Sequence, residues 1–284
     1  MKAPLGGLLV LLGLVSMPAV AMDCAKASTK MEKRICGDKK LTAVDNAMSA
    51  AYFKLLRQVK DADIRASLIN SQRRWIVARE HDLSDLSAGD GEGLDEAQQR
   101  AVVLAVTRAR ISDLQEVSGG QPRFVADALK QRAAAAAYSG GPFAGYHGSC
   151  SFIPDRQDPT KYSYNCFGSH AYQNNHRVCA ESADFASYSE ETVRAVADVD
   201  GVKLKPIATC ALGTSTDSEC PDSYSDQKSH WNTHPTDAQF NAAFGSGDVL
   251  KLDPELSVAD DDGEQGWIHA CLTDTRFPLG HAGQ

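Results

Sequence analysis

The chain has 284 residues, of which 43% are hydrophobic and 23% charged, and its formal net charge is −8. This balance lacks the basic footprint of a nucleic-acid-binding protein, so we expect no nucleic-acid partner. The charge is uneven, because residues 117–284 carry 12 Lys and Arg against 22 Asp and Glu, whereas residues 22–116 carry 16 against 15. The length predicts two domains, and the charge contrast predicts a boundary near residue 117.

Residues 1–21 have the pattern of a secretory signal peptide. Lys2 precedes an apolar run from Leu5 to Val15, and Ala19-Val20-Ala21 forms an A-x-A cleavage site. The run is too short for a membrane anchor. Asp23, directly before Cys24, is not the small residue that lipid attachment requires. We therefore expect an exported protein, periplasmic or secreted, with no stable membrane insertion after signal removal.

All eight cysteines follow the predicted cleavage site, and an even count in an exported chain indicates disulfide bonds. Cys24 and Cys36 are the expected first pair, because a bridge between them fixes the start of the chain against the helices behind it. The other six cysteines can pair in fifteen ways, and the sequence alone does not choose among them. A local Cys150–Cys166 bridge occurs in some of these pairings. These six are Cys150, Cys166, Cys179, Cys210, Cys220 and Cys271.

Residues 22–117 are predicted to form a small helical bundle. Thr29 and Glu32 have the spacing of a capping box at the start of a short helix that ends near Cys36. Apolar residues spaced by threes and fours then indicate three longer helices joined by short links. The stripes expected to face the core run from Leu41 to Val59, from Ile64 to Leu83 and from Ala97 to Leu114. The last consists of Ala97, Ala101, Leu104, Arg108, Ile111 and Leu114.

Residues 24–115 resemble the N-terminal domain of the LprI-type lysozyme-inhibitor family. The resemblance rests on a Cys–Glu–Cys start, a Leu–Asp–Tyr series and Gln-x-x-Trp with a late Arg. The matching residues are Cys24, Glu32, Cys36, Leu41, Asp45, Tyr52, Gln72, Trp75 and Arg79. It implies a periplasmic or surface protein, in some members an inhibitor of lysozyme. Members often carry a further cysteine pair where this chain has REHDLSDL and AQQRAVVL, so this staple is missing.

We interpret the motif residues as framework, with contact to a partner as the alternative. Leu41, Tyr52 and Trp75 lie on the apolar stripes, and Asp45 and Arg79 are expected to pair across two helices with Gln72 beside them. No nucleophile and base stand together in this region, so no catalytic residue is predicted.

Residues 118–141 are predicted to be a connecting helix, with Pro122 in its first turn and Gly140-Gly141 at its end. Residues 142–284 are predicted to be an acidic, cysteine-rich, disulfide-bonded domain, β-rich or α+β, so the whole chain is α+β. Its short β-leaning runs are 146–153, 162–168, 176–182, 193–212 and 266–272. Asp200-Gly201 has the form of a hairpin turn.

Several histidines and acidic residues have spacings that suggest metal sites only weakly. His230 and His234 form H-x-x-x-H without the Glu of a metalloprotease, and Pro235 follows directly. His170 and His176 are no better spaced. The acidic segments 198–201 and 259–266 lack the full alternation of a calcium loop. We therefore predict no metal and no other cofactor.

Three functional hypotheses follow from these features. The first is an inhibitor or immunity protein against a lysozyme-like cell-wall hydrolase, a cationic partner that the acidic C-terminal part would attract. Its candidate contact loops are residues 155–165 and 223–235. The second is a non-inhibitory envelope binding or interaction module. A metal-dependent or thiol enzyme is the least favoured, and we predict that the protein is not an enzyme.

Overall fold

The computed structural model describes residues 22–87, 93–186, 189–212, 219–221, 230–245, 249–256 and 265–278. In the described residues, a short 3-10 helix (Cys24–Lys26) is followed by four α-helices, here called the helical module: α1 (Lys30–Gly37), α2 (Lys39–Gln58), α3 (Ala62–Leu83) and α4 (Glu96–Gln115). Two short strands, β1 (Val117–Ser118) and β2 (Gln121–Pro122), lead into α5 (Arg123–Ala135). A β-sheet follows, so the predicted α+β class is confirmed. The predicted signal peptide lies outside the described residues.

The helical module is defined by side-chain caps that the sequence encodes. Thr29 and Glu32 form the predicted capping box of α1. Asp38 ends α1 and also starts α2, because its carboxylate accepts the backbone N–H groups of Lys40 and Leu41. A disulfide with an S–S distance of 2.02 Å joins Cys24 to Cys36 at the end of α1. In the chain-entropy picture, this short loop contributes about 3 kcal/mol to stability.

The predicted core stripe of α4 is confirmed at Leu104, Ile111 and Leu114, which pack in the helical core, and is wrong at its other three residues. Ala97, Ala101 and Arg108 are exposed, and the buried side is rotated toward Gln99, Val102, Val103, Val106, Thr107, Arg110 and Leu114. Polar residues lie on this buried side because each finds a partner there. Gln99 donates to the Leu94 carbonyl at 2.6 Å, and Thr107 donates to the Val103 carbonyl at 2.7 Å. A prediction that assigns apolar residues to the core and polar residues to solvent therefore misplaces the buried face of α4.

The sheet is a five-stranded antiparallel meander in the order β3-β4-β5-β6-β7. Its strands are β3 (Gly145–Pro154), β4 (Tyr162–Asn174), β5 (Arg177–Ala186), β6 (Ser189–Asp200) and β7 (Lys203–Leu212). The hairpin turn predicted at Asp200-Gly201 is confirmed, because Asp200 pairs with Lys203. Gly201 has φ +61°, the left-handed region that a side chain disfavours in such a turn.

Helices cover both faces of the sheet. On one face, Phe240 of α6 (Asp237–Ala242) packs against small residues of the central strands. On the other, Ile268 and Leu272 of α7 (Gln265–Thr273) pack against Tyr172 and Val196. Three disulfides join β3 to β4, β5 to α7, and β7 to the chain behind it. They are Cys150–Cys166, Cys179–Cys271 and Cys210–Cys220.

The run 266–272, predicted to be β-leaning, is helical. Ile268, Cys271 and Leu272 are its buried residues, and their spacing of three and four places them on one helix face. Because the run is short and apolar, its composition does not distinguish a strand from a buried helix segment.

Helix α5 is shorter than the predicted helix. It ends at Ala135, before Gly140, and the chain then turns through Ala136–Tyr138. Its buried residues are Ala128 and Gln131, Phe124 and Val125 pack against the helical core, and Leu129 is 39% exposed. As for α4, a polar residue lies on the buried side.

Arg132 of α5 reaches back to Asp61, the N-cap of α3, with two hydrogen bonds of 2.8 and 2.7 Å. These bonds, together with the N-cap bonds, lower the pKa of Asp61 to about 2. We expect Arg132→Gln to raise this pKa toward the ordinary value of 3.8. With Arg132 present, the stabilisation by ionised Asp61 is complete above about pH 5 and is lost as the pH falls from there through 2. In the variant the stabilisation is smaller, and its loss is complete at a higher pH, because the folded-state pKa lies closer to the unfolded-state pKa.

Carboxyl NMR titration of Asp61 measures this effect. Lys251→Gln is the matched control, because Lys251 pairs with the neighbouring Asp63 at 3.4 Å and not with Asp61. An Asp61 that still titrates near pH 2 without Arg132 would show that the helix N-terminus alone sets its pKa.

Candidate functional site

The motif residues of the helical module meet in its interior. Arg79 donates to the Asp45 carboxylate at 2.6 Å, and both side chains are 5% exposed. The Arg79 guanidinium also lies 4.8 Å from the centroid of the Trp75 ring. A buried carboxylate, a guanidinium and an indole thus form one stack between α2 and α3.

Gln72 lies beside this stack but bonds elsewhere. Its amide donates to the Met48 sulfur at 3.0 Å, and its oxygen accepts from Arg110 Nε at 3.3 Å. Leu41 is buried in the core, Tyr52 is half-buried at its edge, and Glu32 serves the α1 cap. None of these contacts resembles a nucleophile activated by a base. The geometry therefore favours a framework role for the motif residues.

A buried ionic cluster joins the helical module to residues 252–256, here called the strap. Arg74 of α3 binds Asp253 through both terminal nitrogens and donates to Glu255 at 3.0 Å. Arg110 of α4 and Ser71 of α3 also reach Glu255, at 2.8 and 2.6 Å. Burial opposes ionisation of Glu255, but Arg110, Ser71 and Arg74 hold its pKa below the ordinary value.

The sequence analysis missed this cluster. The sequence feature that could have indicated the cluster is Arg110, which lies on the helix between the buried Thr107 and Leu114. A cation on a buried helix face requires an anion from elsewhere in the chain. The sequence does not say which of the many acidic residues supplies it.

A second contact joins α3 to the sheet. The backbone N–H of Phe152 in β3 donates to the Asp82 carboxylate at 2.7 Å. The Phe152 ring meets the Trp75 indole edge-on, with centroids 5.9 Å apart. One side of the motif tryptophan is therefore covered by the chain's own C-terminal part.

The β3–β4 hairpin continues past the point where β4 stops pairing with β5. In the described residues, β4 pairs with β5 only from Gly168 onward, whereas its pairing with β3 continues to Tyr162. We call the extension, residues 149–167, the arm. Cys150 and Cys166 lie directly opposite each other at its base and are bonded. Phe152 and Tyr164 pack against the helical core, and Ser149, Ser151 and Ser163 on the opposite face are exposed.

The tip of the arm, residues 155–161, is held by its own hydrogen bonds. The Asp155 N–H donates to the Lys161 carbonyl at 2.9 Å and closes the loop. Asp155 accepts the N–H groups of Gln157 and Asp158. Asp158 accepts the N–H and hydroxyl of Thr160 and pairs with Lys161 at 3.1 Å. Residues 155–157 are exposed on this fixed tip. This loop is the first half of the predicted contact segment 155–165.

The second predicted contact segment, 223–235, is described only from His230. There the chain forms a bridge between Asn232 and Thr209 of β7, so His230 and His234 do not share a helix face. His170 lies in β4 and His176 in the turn behind it. Asp198–Gly201 is the end of the β6–β7 hairpin, and most of 259–266 lies outside the described residues.

Among the described residues, one group has the proximity that a metal site needs, namely Cys150, Cys166 and Glu255. Its two sulfurs are bonded to each other, and Glu255 is paired with arginines. All eight cysteines of the chain are in disulfides. No helix in the described part of the chain has both the length and the apolar character that a membrane span requires.

The framework of α1–α4 can now be compared with known proteins. Residues 22–114 match the family model Lysozyme inhibitor LprI. The match covers about a third of the chain and coincides with the region identified from the motif residues. No curated protein and no solved structure matches the chain. The LprI match and the four disulfides are consistent with an extracytoplasmic protein, and the matched family is one of inhibitors rather than enzymes.

In this LprI-like region, polar contacts lie where family members often have a second cysteine pair. Arg34 of α1 donates to the Leu83 carbonyl at 3.2 Å and to Gln99 at 2.6 Å. Arg100 pairs with Asp38. These contacts link the end of α3 and the start of α4 to α1, so the first turn of α4 is anchored without the staple.

Proposed function

We propose that the protein is an exported envelope protein that inhibits a lysozyme-like cell-wall hydrolase, either as an inhibitor or as an immunity protein. The observation that carries this proposal is the match of residues 22–114 to the lysozyme-inhibitor family. The predicted signal peptide and the disulfides support export. An inhibitor needs no catalytic residue, and the framework character of the motif residues agrees with that.

We infer that the arm is the part that enters the target. Glycosidases of this kind act through two carboxylates in an open cleft, and a rigid protruding loop can fill such a cleft. The disulfide at its base, the helical core on one face and the bonded tip all fix the arm before binding. Because a fixed loop loses little conformational entropy on binding, more of the contact energy becomes affinity.

Charge supports the same partner. The part of the chain from residue 117 has ten more acidic than basic residues, and an excess of this sign attracts a cationic hydrolase over long distances. This attraction acts on the rate of association and weakens with salt. The tip itself is balanced, with Asp155 and Asp158 against Arg156 and Lys161, so local fit rather than net charge would select the target there.

The test is cell-wall clearance by several unrelated lysozymes, with and without oxidised residues 22–284. We expect inhibition that weakens between about 10 mM and 150 mM ionic strength, where the Debye length falls from about 30 to about 8 Å. No inhibition of any enzyme at micromolar protein would contradict the proposal. It would instead favour a non-inhibitory envelope binding module.

The role of the arm has its own variant and matched control. Arg156→Glu changes the exposed tip, and Lys203→Glu makes the same charge change at the exposed end of the β6–β7 hairpin. Both change the net charge by the same amount and in the direction that favours a cationic partner, so a loss confined to Arg156→Glu reports local contact. We expect Arg156→Glu to weaken inhibition at least about tenfold and Lys203→Glu to leave it unchanged or slightly stronger. Equal losses would assign binding to another surface.

A further inference from the structure

The strap, Leu252-Asp253-Pro254-Glu255-Leu256, is held by the helices in the way that a peptide ligand is held. Leu252 and Leu256 are 4% and 6% exposed, and Asp253 is completely buried. Leu252 packs into the core of the helical module. Leu256 lies against Gly148, where a Cβ would come within 2.7 Å of the leucine side chain. The leucines at both ends of the strap are therefore closely packed in apolar surroundings.

The two carboxylates are bound by three donors that converge from two helices. Both terminal nitrogens of Arg74 donate to the Asp253 carboxylate. The Glu255 carboxylate accepts hydrogen bonds from Arg110, Ser71 and Arg74 Nη2. Arg110 also donates to the Ser71 hydroxyl at 2.7 Å, which orients that hydroxyl toward Glu255. Bidentate and charge-assisted bonds of this kind give both strength and geometric selectivity for carboxylates.

The main chain of the strap is bound as well. Gln131 of α5 accepts the Asp253 N–H at 2.9 Å and donates to the Asp253 carbonyl at 2.8 Å. Its amide also lies 3.3 Å from the Leu256 carbonyl. A side-chain amide that hydrogen-bonds to both the N–H and the carbonyl of one residue fixes the direction and register of the segment. These hydrogen bonds explain why a polar residue, Gln131, is buried in α5.

We propose that α3, α4 and α5 form a receptor for an acidic peptide of the pattern Leu-Asp-x-Glu-Leu, which the strap occupies within the same chain. The receptor contacts apolar, carboxylate and backbone groups that a segment of another protein can supply equally well. A partner with this pattern is therefore the class of ligand that the site fits. The inference is independent of the proposed inhibition, since it concerns a different surface from the tip of the arm.

The strap is tethered, so its effective concentration at the site is far higher than that of a free peptide. Binding from outside should therefore become visible only when the strap is weakened. Asp253→Asn with Glu255→Gln keeps its shape and removes both charges. Arg74 and Arg110 are then buried without anions, which favours exchange of the neutral strap for an acidic peptide.

The experiment uses oxidised residues 22–284 and two fluorescent peptides, the acidic LKLDPEL of residues 250–256 and the neutral LKLNPQL. We expect the doubly substituted protein to bind the acidic peptide at least about tenfold more tightly than the neutral one. The unchanged protein should bind neither, and adding Arg110→Gln should reduce the preference, because Arg74 alone then contacts both carboxylates. Equal binding of the two peptides, or none, by a folded variant would overturn the proposal. If the variant is unfolded alone, circular dichroism decides, because only the acidic peptide should restore its helices.

Chemical rescue provides a second readout. Glu255→Ala leaves a carboxylate-sized space beside Arg110 and Ser71, and we expect acetate to raise its melting temperature more than chloride does at equal ionic strength. Glu116→Ala is the control, because Glu116 pairs with Arg123 on the exposed surface. Equal responses of both variants to acetate would count against a carboxylate receptor.

Discussion

Arg79→Met is expected to lower the free energy of unfolding by about 3–5 kcal/mol. The substitution keeps much of the side-chain volume but leaves the Asp45 carboxylate buried without its 2.6 Å partner. It also removes the guanidinium from the face of Trp75. Urea unfolding followed by far-ultraviolet circular dichroism measures the change.

The same substitution at Arg123 is the matched control for Arg79. Arg123 pairs with Glu116 and Asp127, but its side chain is 55% exposed, so we expect a loss of about 1 kcal/mol or less. Replacing both charges of the buried pair, as in Asp45→Leu with Arg79→Met, should recover much of the loss. A single Arg79 variant as stable as the Arg123 variant would contradict the framework role.

Removal of the Cys179–Cys271 disulfide by two Cys→Ala substitutions should destabilise the protein more than removal of Cys210–Cys220. The sequence separations are 92 and 10 residues. From the loop-closure entropy of the unfolded chain, the expected losses are about 4.6 and about 2.7 kcal/mol. Both bonds attach to strands of the same sheet, so the comparison isolates the length of the closed loop.

Urea midpoints of the two double variants, measured together with the slopes of their transitions, test this order. The cysteines at all four positions are at most 1% exposed, so both variants also lose similar packing. An equal or reversed order would show that unfolded-state entropy does not dominate the contribution of these bonds.

Local features of the fold could be predicted from the sequence, because neighbouring residues specify them. The capping box at Thr29 and the turn at Asp200-Gly201 each depend on a few adjacent residues, and both are confirmed. The face of α4 was mispredicted because Gln99, Thr107 and Arg110 are buried by specific partners. For Arg110 the partner, Glu255, is 145 residues away.

In the candidate site, too, features that depend on nearby residues could be predicted and features that depend on distant partners could not. The motif residues of the LprI-like region were recognised from their spacing, whereas the strap and its receptor were not. A carboxylate that will be buried looks the same in sequence as one that remains in solvent. Its role depends on which helix it meets after the sheet has formed. Likewise, the arm depends on where β5 stops pairing with β4, which strand propensity does not specify.

The Cys179–Cys271 bond also determines how mechanical load passes through the molecule. Tension applied along the chain crosses from Cys24 to Cys36, passes through α2 to α5, crosses from Cys150 to Cys166, and then crosses from β5 to Cys271. Residues 180–270 are bypassed, and the strap belongs to this shielded stretch. A force applied at the C-terminal end is therefore not transmitted to the contacts between the strap and the helices until the Cys179–Cys271 bond is reduced.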